Sequence, residues 1–198
     1  MRRALFLFAL GLLCVFAKPA SASVQLAVLF DDLVRDSSSI CVFTGLEQKT
    51  AWEDGRIYTR TRVRCDTQLA GEVKQGQEVW IRTMGGIVDG IGQSVSGEAT
   101  FGVGSTSIAF LHGTNVGAYE VTARAQGHFP VTKEKKTLRS PDVGAVLPNA
   151  SAEARVRQLA RAPMTAMATQ PALQAIPGHT IDEIGKEVAL AWTRTHAP

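Results

Sequence analysis

Cysteine, aromatic side chains and unbalanced charge are all scarce in this chain. Its three cysteines, Cys14, Cys41 and Cys65, are too few for a disulfide-dense scaffold. They contain no CxxC pair, which removes the common redox motif and the four-cysteine zinc sites. The four histidines (His112, His128, His179, His196) are scattered, and no two stand at an HExxH interval, so no metal set is read from them. Only one long apolar run exists, at the very start, and no later stretch of about 18 apolar residues offers a transmembrane anchor.

What is present begins with that run. MRRALFLFALGLLCVFAKPASA has a basic pair (Arg2, Arg3), an apolar stretch from Ala4 to Phe16, and small residues at Ala20 and Ala22. These are the three parts of a secretory signal, residues 1–22, with cleavage expected before Ser23. Leu12-Leu13-Cys14 superficially resembles a lipidation site, but Leu13 is too large for the position before such a cysteine. The expected location is the periplasm or the medium. Processing removes Arg2, Arg3 and Lys18 and no acidic residue, leaving basic and acidic side chains equal in number. A neutral chain lacks the basic footprint of a nucleic-acid binder. Processing also removes Cys14, and a remaining cysteine pair in an oxidising compartment favours one disulfide.

Residues 23–37 read as a short leading helix, because Leu26, Leu29, Phe30, Leu33 and Val34 repeat at helical spacing. From 38 to 132 the texture becomes short alternating runs broken by glycine. Candidate strands cover 40–49, 56–69, 78–84, 94–101, 106–111 and 118–126, as in a sandwich or closed barrel. The run 56–69 is the clearest. Ile57, Thr59, Thr61, Val63 and Cys65 take one face, and Tyr58, Arg60, Arg62 and Arg64 take the other. Residues 133–179 are rich in proline and alanine and read as a strap or linker, with one helix at 152–162 capped by Ser151. Residues 180–198 form a closing helix that starts with the capping box Thr180-Ile181-Asp182-Glu183 and carries Ile181, Ile184, Val188 and Trp192 on one stripe. It reads as docking on the domain, or as binding a partner.

Two groupings carry possible chemistry. Cys41 and Cys65 are centred on Glu53, so a hairpin with an odd-numbered loop there sets them face to face. A bridge would close a loop of about 25 residues, worth roughly 3.5 kcal/mol on chain entropy. The alternative is a pair of buried free thiols. Arg60, Arg62 and Arg64, joined by Trp80 and Arg82 of the next strand, form a stripe able to hold phosphate, sulfate or carboxylate groups beside an indole. The alternative is a solvated face whose arginines pair across strands with Glu47, Glu78 or Glu98. GGIVDGIG at 85–92 matches neither dinucleotide nor phosphate-loop spacing and reads as a flexible loop, so no cofactor is expected. Gly92 to Gly97 misses the nucleophile elbow by one residue. Asn149-Ala150-Ser151 is a formal glycosylation sequon.

The order of these pieces resembles secreted netrin-like domains, the barrel type shared with tissue inhibitors of metalloproteinases. ICVFTG at 40–45, VRCDTQLAG at 63–71 and FGVGSTSIAFLHG at 101–113 carry the resemblance, which spans roughly 40–130. It implies an OB-like five-stranded antiparallel barrel flanked by helices and acting through protein–protein contact. The inhibitors begin with a zinc-chelating cysteine and hold several disulfides. This chain is expected to begin at Ser23 with one disulfide at most, so metalloproteinase inhibition does not carry over.

These readings converge on a mainly β, OB-like or netrin-like domain with flanking helices, exported as a non-enzymatic binding or interaction module. Its partner would be another envelope or extracellular protein, or an anionic glycan, met through Arg60, Arg62, Arg64, Trp80 and Arg82. One alternative is an envelope hydrolase in which His112 or His128 meets Asp89 or Glu98 only in the fold. Another is a structural envelope component recruited by the 180–195 helix.

Overall fold

The computed structural model describes residues 24–159 and 165–196; the signal-type segment and its cleavage position lie outside them. The helix expected over the leading residues divides in two. Strand β1 (Val24–Leu26) comes first, followed by the short helix α1 (Phe30–Arg35). Val24 to Leu26 leave the helical pattern because they pair in parallel with Ala145–Leu147, and the Gln25 amide donates to the Gly97 carbonyl at 3.3 Å.

Next come two long antiparallel strands, β2 (Ser39–Glu53) and β3 (Arg56–Gly71). Asp54 and Gly55 join them with φ of 50° and 76°, the left-handed pair of a two-residue hairpin turn. β4 (Glu78–Met84) continues the meander. Residues 85–92, expected as a loop, instead form a small hairpin of β5 (Gly86–Val88) and β6 (Ile91–Gln93). Asp89 and Gly90 turn it at φ of 50° and 79°. The strand expected at 94–101 is absent, and that segment lies across the sheet as irregular chain. β7 (Thr106–Gly113) and β8 (Tyr119–Val121) follow. The expected 118–126 strand stops early, because Ala123 and Arg124 turn left-handed at φ of 56° and 54°. A 3-10 turn (Arg124–Gly127) leads into β9 (His128–Pro130).

The chain is mainly β. Five strands make a ring-like sheet in the order β2-β3-β4-β8-β7, with β7 pairing back to β2 over Ser39–Thr44, and β9 joins β7. Inside the ring sit Phe43, Val63, Ile81, Leu111 and both cysteines, all buried. A second core lies between the sheet and the helices.

The proline-rich stretch holds structure of its own: β10 (Ala145–Leu147), which is the partner of β1, then α2 (Ala150–Leu159) and α3 (Ala172–Ala175). At the start of α2 the capping side chain is Asn149, not Ser151. Its carbonyl oxygen accepts from the Ala152 N–H at 3.2 Å. The closing helix α4 (Ile181–Thr195) has the expected capping box. It docks through Ile184, Val188 and Ala191 onto Phe30, Leu33, Ile40 and Phe110, with Trp192 at the margin. Arg194 on Asp31 at 2.8 Å ties it to α1.

Candidate functional site

Period-two alternation sends Tyr58, Arg60, Arg62 and Arg64 to the outer face of β3, and the β4 register sets Arg60 opposite Arg82 and Arg62 opposite Trp80. The five residues singled out from the sequence therefore share one surface. Their charges are already answered. Arg62 holds Glu78 at 2.7 Å with one guanidinium nitrogen and Glu47 at 2.9 Å with another. Arg60 holds Glu53 at 2.9 Å, and Arg64 holds Asp66 at 2.8 Å. Arg82 joins Glu120 at 2.6 Å and Glu53 at 3.2 Å. Glu47 and Glu78 are thus partners, as the cross-strand alternative expected. Glu98 is not, and lies 3.7 Å from Arg124 instead.

The cations also cover the aromatic rings. Lys49 Nζ stands 5.0 Å from the centre of the Trp80 ring, and the Arg82 guanidinium lies 4.5 Å from that of Tyr58, both within cation–π range. Hydrogen bonding from Lys49 and the charge of Arg62 hold Glu47 below its usual carboxylate range. Arg60 and Arg82 do the same for Glu53. The face is a lattice of alternating charge studded with two rings, not an open cationic stripe. Sequence reasoning missed Glu53, Glu120 and Tyr58. Glu120 comes from β8, 38 residues beyond Arg82, and no local pattern signals it.

At one end the lattice opens on a cleft of about 340 Å³ that includes Arg82, Glu98, His112, Glu120 and Arg124. Burial raises the Glu98 pKa, against the opposing charge of Arg124. His112 and Glu98, one of the pairs weighed for hydrolysis, border this cleft. The nearest carboxylate to His112, however, is Glu120, whose Oε2 lies 3.8 Å from its Nε2, beyond hydrogen-bond length. His128 is sealed in the core, its ring tilted against that of Phe101 with centroids 4.5 Å apart, and its Nδ1 is unpartnered. Asp89 stands exposed at the β5–β6 turn.

The cysteines do not face each other directly. Cys41 is opposite Gln68, and Cys65 is opposite Phe43. The Asp54-Gly55 turn holds an even number of residues, and bulges at Leu46 and near Asp66 shift the register further. Even so, both cysteines point inward. Their side chains approach to 2.7 Å as free thiols, and the Cys41 thiol donates to the Val73 carbonyl at 3.6 Å. Among the described residues no group of three His, Cys, Asp or Glu side chains is placed to hold a metal.

No family model, curated protein or solved structure matches this chain.

Proposed function

We propose that this chain is an exported, non-enzymatic binding module with an OB-type barrel, released before Ser23, that meets an envelope or extracellular protein through the outer face of β3 and β4. The strand order supports the barrel reading. Counted along the chain, the first three ring strands (β2, β3, β4) form a meander, the fifth (β8) pairs in parallel with the third through Ile81 and Tyr119, and the fourth (β7) closes on the first. OB-type barrels bind ligands on the face of their second and third strands, which here are β3 and β4.

The observation that carries the reading is the neutralised lattice of Arg60, Arg62, Arg64, Arg82 and their carboxylates around Trp80 and Tyr58. A surface with both charges fixed at set spacing suits a protein partner of complementary pattern. It suits an anionic glycan poorly, because each arginine would have to surrender a carboxylate first. Export also supports covalent closure of the nearby cysteines. Thiol–disulfide exchange with a disulfide donor would join Cys41 to Cys65, passing two electrons and two protons to the donor.

The test uses the chain from Ser23, immobilised against envelope and medium fractions of its source. Arg62→Glu, which sets a third carboxylate beside Glu47 and Glu78, and Trp80→Ala should each cut capture of the native partner about tenfold, measured at a temperature where circular dichroism shows both variants folded. Capture at the parental level by both variants would refute the assignment of this face. Retention of the parent on a polysulfated resin near physiological salt would refute the preference for a protein over an anionic glycan.

A further inference from the structure

The inner face of the sheet changes character along its length. At one end Phe43, Val63, Cys65, Val79 and Ile81 fill the ring with apolar atoms. Further along the same strand faces stand Gln48, Thr50, Thr59, Thr61 and Thr83, brought together by the pairs Gln48–Thr61, Thr50–Thr59 and Thr59–Thr83. The segment from Gly85 to Phe101 lies over them and is bonded to them. Thr59 Oγ1 donates to the Gly85 carbonyl at 2.7 Å, the Gln48 amide donates to the Phe101 carbonyl, and the Gln93 amide oxygen accepts from the Ile57 N–H at 2.7 Å. Between strands and segment a cleft of about 750 Å³ remains, within the range of small-molecule sites.

The walls of this cleft narrow the choice of ligand. Gln48, Thr50 and Thr59 from the strands and Gln93, Ser94 and Thr100 from the segment present hydroxyls and amides, interleaved with apolar wall from residues such as Met84, Ile87 and Phe101 that suits the C–H faces of a sugar ring. Such groups donate and accept at once, and each hydroxyl that donates inward keeps lone pairs to accept with. The charged lining residues are Glu98 and Asp142, both acidic, so phosphate, sulfate or uronate groups meet repulsion and no cation. Gln48, Thr59 and Gln93 are already bonded within the fold, and an apolar ligand would strip water from the hydroxyls of Thr50, Ser94 and Thr100 without replacing it. Trp52 lies beyond the cleft lining, two residues past Thr50 on β2. It alternates onto the same strand face as Gln48 and Thr50, and it is 48% exposed, which leaves ring surface free for stacking.

We propose that this cleft binds a neutral carbohydrate chain, whose hydroxyls pair with the threonine, serine and glutamine groups while one sugar ring stacks on Trp52. The cleft shares Met84 and Glu98 with the edge of the charged face but is lined by none of its arginines or by Trp80, so either assignment can fail alone.

The experiment titrates the chain from Ser23 with cellohexaose, maltohexaose and chitohexaose, with a galacturonate oligomer as the anionic comparator, by calorimetry and by amide chemical shifts. At least one neutral hexaose is expected to bind below about 1 mM. Trp52→Ala should weaken it roughly tenfold, and Ser94→Trp, which fills the cleft from an exposed position, should abolish it. Arg62→Glu, on the other face, should leave it unchanged. The inference is overturned if none of the three binds at about 10 mM, if only the galacturonate binds, or if both cleft variants bind like the parent.

Discussion

Oxidative closure of Cys41 and Cys65 is open to a quantitative test. Both side chains are fully buried within the ring, so reagents reach them only when the sheet opens. Their 2.7 Å approach means that a bond of about 2.05 Å requires little backbone movement. Closing a loop of about 25 residues removes roughly 12 cal/mol/K of unfolded-chain entropy, or about 3.5 kcal/mol at 25 °C. For a chain of this size 1 kcal/mol moves the midpoint by about 2–4 °C. Protein refolded with oxidised glutathione should therefore melt about 7–14 °C above the same protein refolded with reductant. Its mass should be lower by two hydrogens. The double variant Cys41→Ala, Cys65→Ala should melt at one temperature under both conditions, which separates the bridge from any other effect of the reductant. Two thiols titrating in denaturant after oxidative refolding would refute the bridge. An oxidised form melting within about 2 °C of the reduced one would refute the entropic account.

Two further predictions follow from single buried positions. Burial lowers the His128 pKa from 6.5 to about 4, so between those values the unfolded chain binds more protons than the folded one. Stability is then full above pH 6.5, falls as pH drops towards 4 and levels below it, a loss of about 3 kcal/mol. In His128→Leu, urea midpoints at pH 7 and pH 4.5 should differ less than in the parent, and an unchanged difference would remove His128 as the cause. Gly45 pairs with Val63 and lies against the 102–105 turn, where its amide donates to the Ser105 carbonyl at 3.1 Å and its carbonyl accepts from Gly104 at 2.8 Å. A methyl at this position would overlap the Gly102 carbonyl. Gly45→Ala should cost about 2–3 kcal/mol by chemical denaturation, and a cost below about 0.5 kcal/mol would show that the turn yields freely.

Local pattern made some of this legible. Alternation placed Arg60, Arg62 and Arg64 opposite Thr59, Thr61 and Val63 because a half-buried strand must sort polar from apolar at period two. Thr180 and Glu183 marked the start of the last helix because their bonds to each other's backbone span only three residues. The β5–β6 hairpin also carried a local signal, Asp89-Gly90, which the surrounding glycines obscured. Long-range pairings left no such trace. Leu26 begins a helical stripe in sequence, yet Val24–Leu26 becomes a strand because Ala145–Leu147 arrives beside it. The cysteine register likewise failed on bulges, which insert one residue without a distinctive composition.

The same distinction separates the two candidate sites. An arginine row is visible in sequence, but whether it is free or answered depends, apart from Asp66 beside Arg64 on β3 itself, on carboxylates from β2, β4 and β8, and the fold answers every member. The inner threonines raise the reverse problem. In sequence Thr59 and Thr61 simply continue the apolar face of β3, since threonine suits a strand whether or not its hydroxyl is used. Only the ring shows that Thr59, Thr61 and Thr83 converge with Gln48 under one covering segment. Valine at these places would extend the apolar core at equal strand propensity. Hydroxyls there forgo that gain, and the hydrogen bonds of Thr59 and Gln48 to carbonyls of the segment recover part of it by holding the segment in place, while Thr83 donates to the Thr59 carbonyl of the neighbouring strand. Ser94 and Thr100 are exposed and meet water, so the hydroxyl that bears on the ligand most directly is that of Thr50, half-buried on the strand face beneath the segment, which a hydroxyl-rich ligand would pair.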